Sequence, residues 1–145
     1  MLIAKPGLAD RSRLIRLWES SVRATHGFLD EGDIVRLRVM IHDRYLDAVD
    51  LYCAEDENGN ITGFIGIAEG RIEMLFVDPQ RMGQGIGRAL VEYVLARHNI
   101  TDVDVNEQNP DAAGFYRRLG FVDFARSEND GEGNPFPILH MRLGR

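Results

Sequence analysis

Three glycines at alternate positions, Gly83, Gly85 and Gly87, stand between a short β-type run and an apolar helical pattern. Glycine lets the backbone approach a ligand closely, and the first N–H groups of a helix attract anions. The dinucleotide-binding fingerprint does not fit, because the sixth residue counted from Gly83 is Arg88. The Walker phosphate-binding pattern does not fit either, because the chain contains no Gly-Lys pair. We therefore expect an anionic ligand at this loop that neither nucleotide motif describes.

A second run extends from Asn109 to Phe121 and reads N-P-D-A-A-G-F-Y-R-R-L-G-F. Together the two runs resemble the signature motifs of the GNAT superfamily of acetyltransferases, Q/R-x-x-G-x-G/A for the pyrophosphate loop and N-x-x-A-x-x-F-Y-x-x-x-G-F. One departure is Met82, which occupies the family's usual Arg or Gln position, with Arg81 one residue earlier. The resemblance covers nearly the whole chain. Within it, the segment 133–139 resembles the YjaB branch, small bacterial enzymes proposed to act on protein lysines.

The resemblance implies that acetyl-CoA is the acyl donor and that a primary amine attacks its thioester directly in a ternary complex. In this family the strands through residues 75–77 and 103–105 splay apart, and the pantetheine arm of the cofactor lies in the gap. The residues implied to bind the cofactor are Leu75, Phe76, Val77, Met82, Gly83, Gln84, Gly85, Ile86, Gly87, Arg88, Asn109, Ala112, Phe115 and Tyr116. Tyr116 is also implied to protonate the departing thiolate, the alternative being an aromatic residue on the buried face of a helix.

Glu73 is the first candidate for the general base that the acceptor amine requires. A lysine-type amine has a pKa near ~10.4 and must lose a proton before it attacks. Glu73 precedes Leu75 and Val77 at alternate positions of a β-type run, so we expect the three side chains to share one face. The base would act directly or through water. A solvated carboxylate on a strand is the alternative interpretation.

The acceptor pocket has three further candidate residues. His26 and Phe28 lie in the loop between the first two predicted helices, which family members use to line the acceptor pocket, and His140 lies in the last predicted strand. Either histidine could bind or deprotonate the amine, although an exposed histidine without a role is the common case. We expect a protein lysine as acceptor, with a small-molecule amine as the alternative. Because of Met82, a catalytically weak acyl-CoA-binding module is the alternative from another functional class.

Hydrophobic periodicity predicts the elements that must position these residues. Strands are expected near 2–5, 51–55, 61–68, 72–77, 103–105, 121–125 and 136–143, and helices near 14–22, 34–47, 86–95 and 112–119. Asn58-Gly59 predicts a hairpin turn between the second and third strands. The order β-α-α-β-β-β-α-β-α-β-β predicts an α/β (α+β) fold, and the resemblance implies the GNAT fold. This fold has a central mixed, mostly antiparallel sheet flanked by helices, here in one domain over residues 1–145.

Composition excludes several other functions. The 145 residues carry a formal net charge of −6, which disfavours nucleic-acid binding. The longest apolar run is far shorter than the roughly 20 residues of a membrane-spanning helix. Cys53 is the one cysteine, so no disulfide framework or cysteine zinc site is expected, and we predict a buried small hydrophobe rather than an acyl-cysteine. We expect a cytoplasmic monomer or homodimer without a metal, whose partners are acetyl-CoA and the amine acceptor.

Overall fold

A seven-stranded sheet forms the centre of residues 1–144, the part of the chain that the computed structural model describes. The strands are β1 (Leu2–Ala4), β2 (Asp50–Glu55), β3 (Ile61–Ala68), β4 (Arg71–Val77), β5 (Asp102–Asn106), β6 (Phe121–Ser127) and β7 (Ile138–Leu143). The helices are α1 (Arg11–Thr25), α2 (Glu31–Met40), α3 (Ile86–Arg97) and α4 (Pro110–Arg118), and a π-helical turn, Ile41–Tyr45, continues α2. The order of strands and helices along the chain is the predicted one.

The strands are arranged in the order β1-β2-β3-β4-β5-β7-β6. Every neighbouring pair is antiparallel except β4 and β5, which are parallel, so the predicted mixed, mostly antiparallel sheet is confirmed. β4 and β5 pair at only two positions, Arg71 with Asp102 and Ile72 with Val103. Both strands continue beyond these positions, but they no longer pair with each other. They therefore open into a gap in the centre of the sheet.

Helices cover the two faces of the sheet and create two hydrophobic cores. On one face, α3 and α4 pack on the sheet around buried residues that include Leu90 and Phe121. On the other face, α1 and α2 pack around buried residues that include Leu14 and Trp18. Each such side chain contributes about 1.5–3 kcal/mol on full burial. The gap between β4 and β5 lies between these two cores, so both faces help to position it.

Cys53 lies in the core under α1 and α2, where its side chain is buried. Burial raises the pKa of the Cys53 thiol to about 11. The thiolate is the reactive form of cysteine, and it is scarce at neutral pH when the pKa is so high. Cys53 is therefore the small hydrophobic residue that the sequence predicted.

Arginine supplies nearly all the positive charge of the molecule. The chain has one lysine, Lys5, among 17 basic residues. Arg23 pairs with Glu19 on α1 and with Glu31 at the start of α2, which ties the two helices together at the surface. The Lys5 Nζ lies 5.3 Å from the centre of the Tyr52 ring. Exposed ion pairs such as those of Arg23 contribute little to the free energy of unfolding, so they orient α1 and α2 more than they stabilise them.

The connection between β2 and β3 is a hairpin, as predicted, but it is held by a side chain. A two-residue type I′ turn needs positive φ at both central residues. Of Asn58 and Gly59, only Gly59 has a positive φ, of 77°. The Asp56 carboxylate accepts hydrogen bonds from the backbone N–H groups of Asn58 and Asn60, both at 2.9 Å. The loop is therefore longer than an Asn-Gly turn and depends on Asp56.

Replacing Asp56 tests this dependence. The N–H of Asn60, its side-chain amide and the Arg81 guanidinium hold the pKa of the Asp56 carboxyl well below its usual range. A depressed pKa contributes stability that is present above the unfolded value, about 3.9, and is lost as pH falls through the folded value. We expect Asp56→Ala to lower the Tm at pH 7, with a difference from wild type that shrinks below about pH 4.

Glu57→Ala is the matched control, because it removes a carboxylate from the same loop without removing these hydrogen bonds. Thermal unfolding followed by circular dichroism measures both variants across pH. Equal Tm losses in the two variants would show that the Asp56 hydrogen bonds do not hold the loop.

Candidate functional site

The gap between β4 and β5 continues into a cavity of about 710 Å³, a volume typical of small-molecule sites. We call it the gap cavity. Its lining contains every residue predicted to bind the cofactor except Gln84: Leu75, Phe76, Val77, Met82, Gly83, Gly85, Ile86, Gly87, Arg88, Asn109, Ala112, Phe115 and Tyr116. Gln84 lies in the same loop with its side chain exposed. The fold thus brings both sequence motifs to one cavity.

The glycine loop enters α3 through two left-handed residues, Gly83 (φ 80°) and Gly85 (φ 79°). A Cβ at either position would meet no atom within 4 Å, so the backbone conformation, and not lack of space, requires glycine there. A Cβ at Gly87 would lie 3.4 Å from the Phe115 ring, an ordinary van der Waals distance, so α3 packs directly against α4 at this position. The first N–H groups of a helix have no partner within the helix. The start of α3 therefore has the geometry of an anion-binding site.

Arg81 anchors the beginning of this loop. Its guanidinium donates a hydrogen bond of 2.8 Å to the Asp56 carboxylate in the β2–β3 hairpin. The neighbouring Met82 lines the gap cavity with a side chain that is 59% exposed. The Arg or Gln that the family has at this position is thus absent, and the adjacent Arg81 is paired with Asp56 of a neighbouring loop. The backbone N–H groups at the start of α3 remain as donors for an anion.

Tyr116 and Asn109 line the gap cavity on the side of α4. Tyr116 is buried, with its ring centre 5.0 Å from that of Phe115 and 5.6 Å from that of Phe121. Burial raises the pKa of the Tyr116 phenol above its ordinary value of about 10. The phenol therefore keeps its proton at neutral pH and can donate it in a hydrogen bond. Asn109 caps α4 by accepting a hydrogen bond of 3.3 Å from the N–H of Ala112.

A second cavity, of about 500 Å³, lies on the face that carries α1 and α2. We call it the side cavity. Most of its wall is apolar and comes from α1, α2 and the π-helical turn, and its polar residues are His26, Tyr45, Glu69 and Glu73. The gap cavity and the side cavity share His26, Glu73, Met74 and Phe76. The two cavities therefore meet at β4, where one ligand in each would be in contact.

Glu73 reaches this junction because β4 contains a bulge. Met74 and Ile72 pair with consecutive residues of β3, so Glu73 is an extra residue without an opposite partner. Leu75 and Val77 pack against the core under α3 and α4, whereas Glu73 lines the side cavity on the opposite face. The prediction that Glu73, Leu75 and Val77 share one face is therefore wrong, because simple alternation does not allow for the inserted residue.

His26 ends α1 at the junction of the two cavities. Its Nδ1 lies 2.7 Å from the Thr25 hydroxyl, which donates its own hydrogen to the backbone oxygen of Ser21. The hydroxyl can then only accept from His26, which places the hydrogen of a neutral ring on Nδ1 and leaves the Nε2 lone pair free. Burial lowers the pKa of His26, which favours the neutral ring.

Two other predicted substrate-binding residues lie outside the junction. Neither Phe28 nor His140 is among the residues of the described chain that line the two cavities. The Phe28 ring packs 5.3 Å from the His26 ring and 5.6 Å from the Phe136 ring. His140 lies on β7, with Nδ1 2.7 Å from the Asp104 carboxylate and Nε2 2.7 Å from the Ser127 hydroxyl. Phe28 therefore supports the loop of His26, and His140 lies outside both cavities in contact with Asp104, which lines the gap cavity.

Several residues of the site were not identified from the sequence. Ile41 and Tyr45 line the side cavity from the π-helical turn, which apolar spacing does not distinguish from an α-helix. Arg71 is a further example: its guanidinium contacts Glu73 at 3.3 Å and Asp104 at 2.5 Å. The predicted strand over 72–77 begins one residue after Arg71, and no sequence signal pairs Arg71 with Asp104.

The described residues, 1–144, contain no group of three histidine, cysteine or acidic side chains arranged to hold a metal ion. In the same range, none of the helices has the length and apolar character needed to cross a membrane.

Comparisons with known proteins agree with this geometry. A family model described as an acetyltransferase (GNAT) domain matches residues 47–123. The chain is 38% identical to the peptidyl-lysine N-acetyltransferase YjaB of Salmonella typhimurium, over 89% of this chain and 88% of the relative. It is 37% identical to the YjaB enzyme of Escherichia coli, over 88% of this chain and 86% of the relative.

Solved structures give the same result. The solution structure of apo-form YjaB from Escherichia coli superposes with a TM-score of 0.88 at 34% identity, covering 99% of this chain and 98% of that one. The PaiA N-acetyltransferase of Thermoplasma acidophilum in complex with coenzyme A gives a TM-score of 0.73 at 21% identity, covering 96% of both chains. The second likeness concerns the fold alone.

The burial of His26 predicts a specific pH dependence. Because the pKa of His26 is lowered in the folded chain, the unfolded chain binds its proton more readily as pH falls below about 6.5. We therefore expect folding stability to fall between pH 7 and pH 5.5, and to fall less in His26→Gln. Ring-proton NMR should place the His26 titration below about 6.5.

His42→Gln is the matched control, because His42 is an exposed histidine on the π-helical turn. If His26→Gln and wild type lose Tm equally over this pH range, His26 does not carry the effect.

Proposed function

The chain belongs to the GNAT family of acetyltransferases, and we propose that it acetylates the side-chain amine of lysine residues in protein substrates. Its activity as an acetyl-CoA-dependent N-acetyltransferase follows from the family match over residues 47–123 and from YjaB relatives that are 37% and 38% identical. These relatives, named as peptidyl-lysine enzymes, span 88% and 89% of the chain, which also supports treating residues 1–145 as one acetyltransferase domain.

The observation that carries the lysine proposal is the meeting of the two cavities at β4. The side cavity offers an apolar wall and the carboxylates of Glu69 and Glu73. A lysine side chain matches both, because it combines an apolar stem with a cationic head. The net charge of −6 also favours a cationic acceptor over an anionic one. A lysine in the side cavity would bring its amine to the junction with the gap cavity.

The gap cavity fits acetyl-CoA through its backbone. The N–H groups at the start of α3, beyond Gly83 and Gly85, would hold the pyrophosphate. The diverging edges of β4 and β5 present backbone groups that have no ladder partner, and these suit the amide groups of the pantetheine arm. Bound acetyl-CoA supplies the acyl group as a thioester. We place that thioester beside Phe76 and Tyr116, which line the cavity from its two sides.

The residues at the junction would divide the proton transfers between them. Glu73 takes the proton of the acceptor ammonium, and the free Nε2 of His26 accepts a hydrogen bond from the amine. A backbone N–H near Val77 would donate to the carbonyl oxygen of the thioester, and the second proton that the nitrogen loses would pass to the departing sulfur. Tyr116 donates to the sulfur as the C–S bond breaks. A thiol has a pKa near ~8.5 and burial holds the Tyr116 pKa above its ordinary value, so Tyr116 acts mainly by hydrogen bonding.

Replacing Tyr116 by phenylalanine separates catalysis from binding. Tyr116→Phe keeps the ring that packs on Phe115 and Phe121 but removes the donor. We expect kcat to fall by about 10² while the Kd for acetyl-CoA changes less than about twofold. Steady-state acetylation of a lysine peptide measures the first quantity, and titration calorimetry measures the second. Unchanged kcat would contradict the role of Tyr116.

Tyr93→Phe is the matched control, because Tyr93 lies on α3 and packs on Tyr52 away from both cavities. Acceptor identity is tested in the same assay with a lysine peptide, an N-terminal amine and a free polyamine. Faster turnover of the polyamine would favour a small-molecule acetyltransferase, and cofactor binding without turnover of any amine would favour a binding module. Lys5 is the one lysine of the chain, so self-acetylation adds little background.

The left-handed conformation of Gly85 gives a second test of the cofactor site. Gly85→Ala places a side chain at φ 79°, which costs about 1–2 kcal/mol and turns the N–H groups of the loop away from their present direction. We expect the Kd for acetyl-CoA to rise roughly tenfold, equivalent to about 1.4 kcal/mol. Gly131→Ala is the control, because Gly131 has no positive φ and open space around its Cα. An equal Kd in both variants would contradict binding at the loop.

A further inference from the structure

A row of polar contacts crosses four strands on the face that carries the side cavity. The Arg71 guanidinium on β4 contacts Glu73 at 3.3 Å and Asp104 on β5 at 2.5 Å. Asp104 contacts His140 on β7 at 2.7 Å, and His140 contacts Ser127 on β6 at 2.7 Å. We propose that Arg71, held in turn by Asp104 and His140, is a positioning residue that sets the orientation and proton affinity of Glu73. This inference rests on the proposed function, in which Glu73 is the base.

The row lies on one face because of how two strands are built. On β5, Val103 and Val105 are buried in the core under α3 and α4, so the side chain between them, Asp104, lies on the other face. On β4, the bulge puts Glu73 on that same face, next to Arg71. Arg71 and Asp104 are far apart in the sequence. They come into contact because β4 and β5 are neighbouring strands.

The contact between Arg71 and Asp104 sits at the point where the gap opens. Arg71 and Ile72 are the two β4 residues that still pair with β5. In addition to these backbone pairs, a side-chain contact between Arg71 and Asp104 connects the two strands. The Arg71 and Asp104 side chains are 34% and 35% exposed, so their ion pair contributes little to stability. Its main consequence is geometric, because it fixes the guanidinium that contacts Glu73.

Asp104 also divides the charge of Arg71 between two carboxylates. An arginine guanidinium can donate to two acceptors at once through its planar fork. The contact to Asp104 is the shorter of the two, so Glu73 receives only part of the interaction. A base that is fully paired with a cation accepts a proton poorly. Sharing Arg71 therefore keeps Glu73 oriented while leaving it able to take a proton.

Other charged or titratable groups face Glu73 from the surrounding elements. Glu69 from the β3–β4 turn, His26 from the end of α1 and Tyr45 from the π-helical turn line the same cavity. His26 is held neutral by burial, which lowers its pKa, and adds no charge. Beyond Asp104, the Asp102 and Arg142 side chains neutralise one another at 3.3 Å. Among these groups, Arg71 is a cation in direct contact with Glu73, and Asp104 is a carboxylate that shares it.

Opposite shifts in two variants test the proposal. In Arg71→Gln the carboxylates lose their cation, so we expect the acidic limb of the kcat/KM against pH profile to move up by about one pH unit. In Asp104→Asn, Arg71 turns fully to Glu73, so the limb should move down by about one unit and kcat should fall about threefold to tenfold. The free peptide amine ionises in the same way in the assay of every variant. A displacement of the acidic limb therefore reports on a group of the enzyme.

Controls separate positioning from a structural role. Arg142→Gln makes the same change on the same face, at a residue paired with Asp102 and not with Glu73, and should leave the limb in place. Loss of Tm and rate with an unmoved limb, or shifts of both variants in one direction, would overturn the proposal.

Glu73→Gln distinguishes this inference from the proposed function beneath it. We expect Glu73→Gln to lose the acidic limb and most of its activity, and expect Arg71→Gln or Asp104→Asn to cause no further shift in that background. Wild-type rates and an intact limb in Glu73→Gln would refute Glu73 as the base, and the proposal with it. A lost limb in Glu73→Gln combined with unmoved limbs in the single variants would refute the positioning role alone.

Discussion

The short pairing of β4 with β5 is the constraint on which the rest of the site depends. Two residue pairs join these strands, and beyond Ile72 and Val103 they separate. Backbone N–H and C=O groups along the separated edges need partners, and a ligand that carries amide groups can provide them. Side chains of both strands pack in the core under α3 and α4, and β4 also packs in the core under α1 and α2. The start of α3, which has the geometry to bind an anion, and the buried Tyr116 phenol both lie at the border of this gap.

The bulge at Glu73 connects this opening to the other face of the sheet. A regular β4 would direct position 73 to the side of Leu75 and Val77, beneath α3. The inserted residue instead puts a carboxylate in the wall of the side cavity, next to His26. In the proposed function, donor and acceptor would approach the same short segment of β4 from opposite faces. Catalysis by proximity requires this arrangement, since an amine and a thioester must meet within van der Waals distance.

Much of the fold and of the cofactor site could be predicted from the sequence, because local rules set them. Apolar periodicity and the Asn-Pro helix start placed the strands and helices, whereas the cofactor residues were implied by the resemblance to the GNAT motifs, and all of them except Gln84 line the gap cavity. The failures arose where tertiary structure decides. The phase of Glu73 depends on its register with β3, and the β2–β3 loop is held by the Asp56 carboxylate as well as by its glycine. The contact of Arg71 with Asp104 depends on which strands become neighbours, which no local pattern records.

The arginine-rich surface has a consequence for a protein that handles activated acetyl groups. Acetylation neutralises lysine, but a guanidinium stays protonated and is not converted under the same conditions. The ties between α1 and α2, the anchor of the glycine loop and the contacts with Glu73 and Asp104 all use arginine as their cation. Lys5, the one lysine, touches the Tyr52 ring and none of these pairs. The reaction that the enzyme catalyses therefore does not neutralise the cations of these pairs, even when the proteins around it become acetylated.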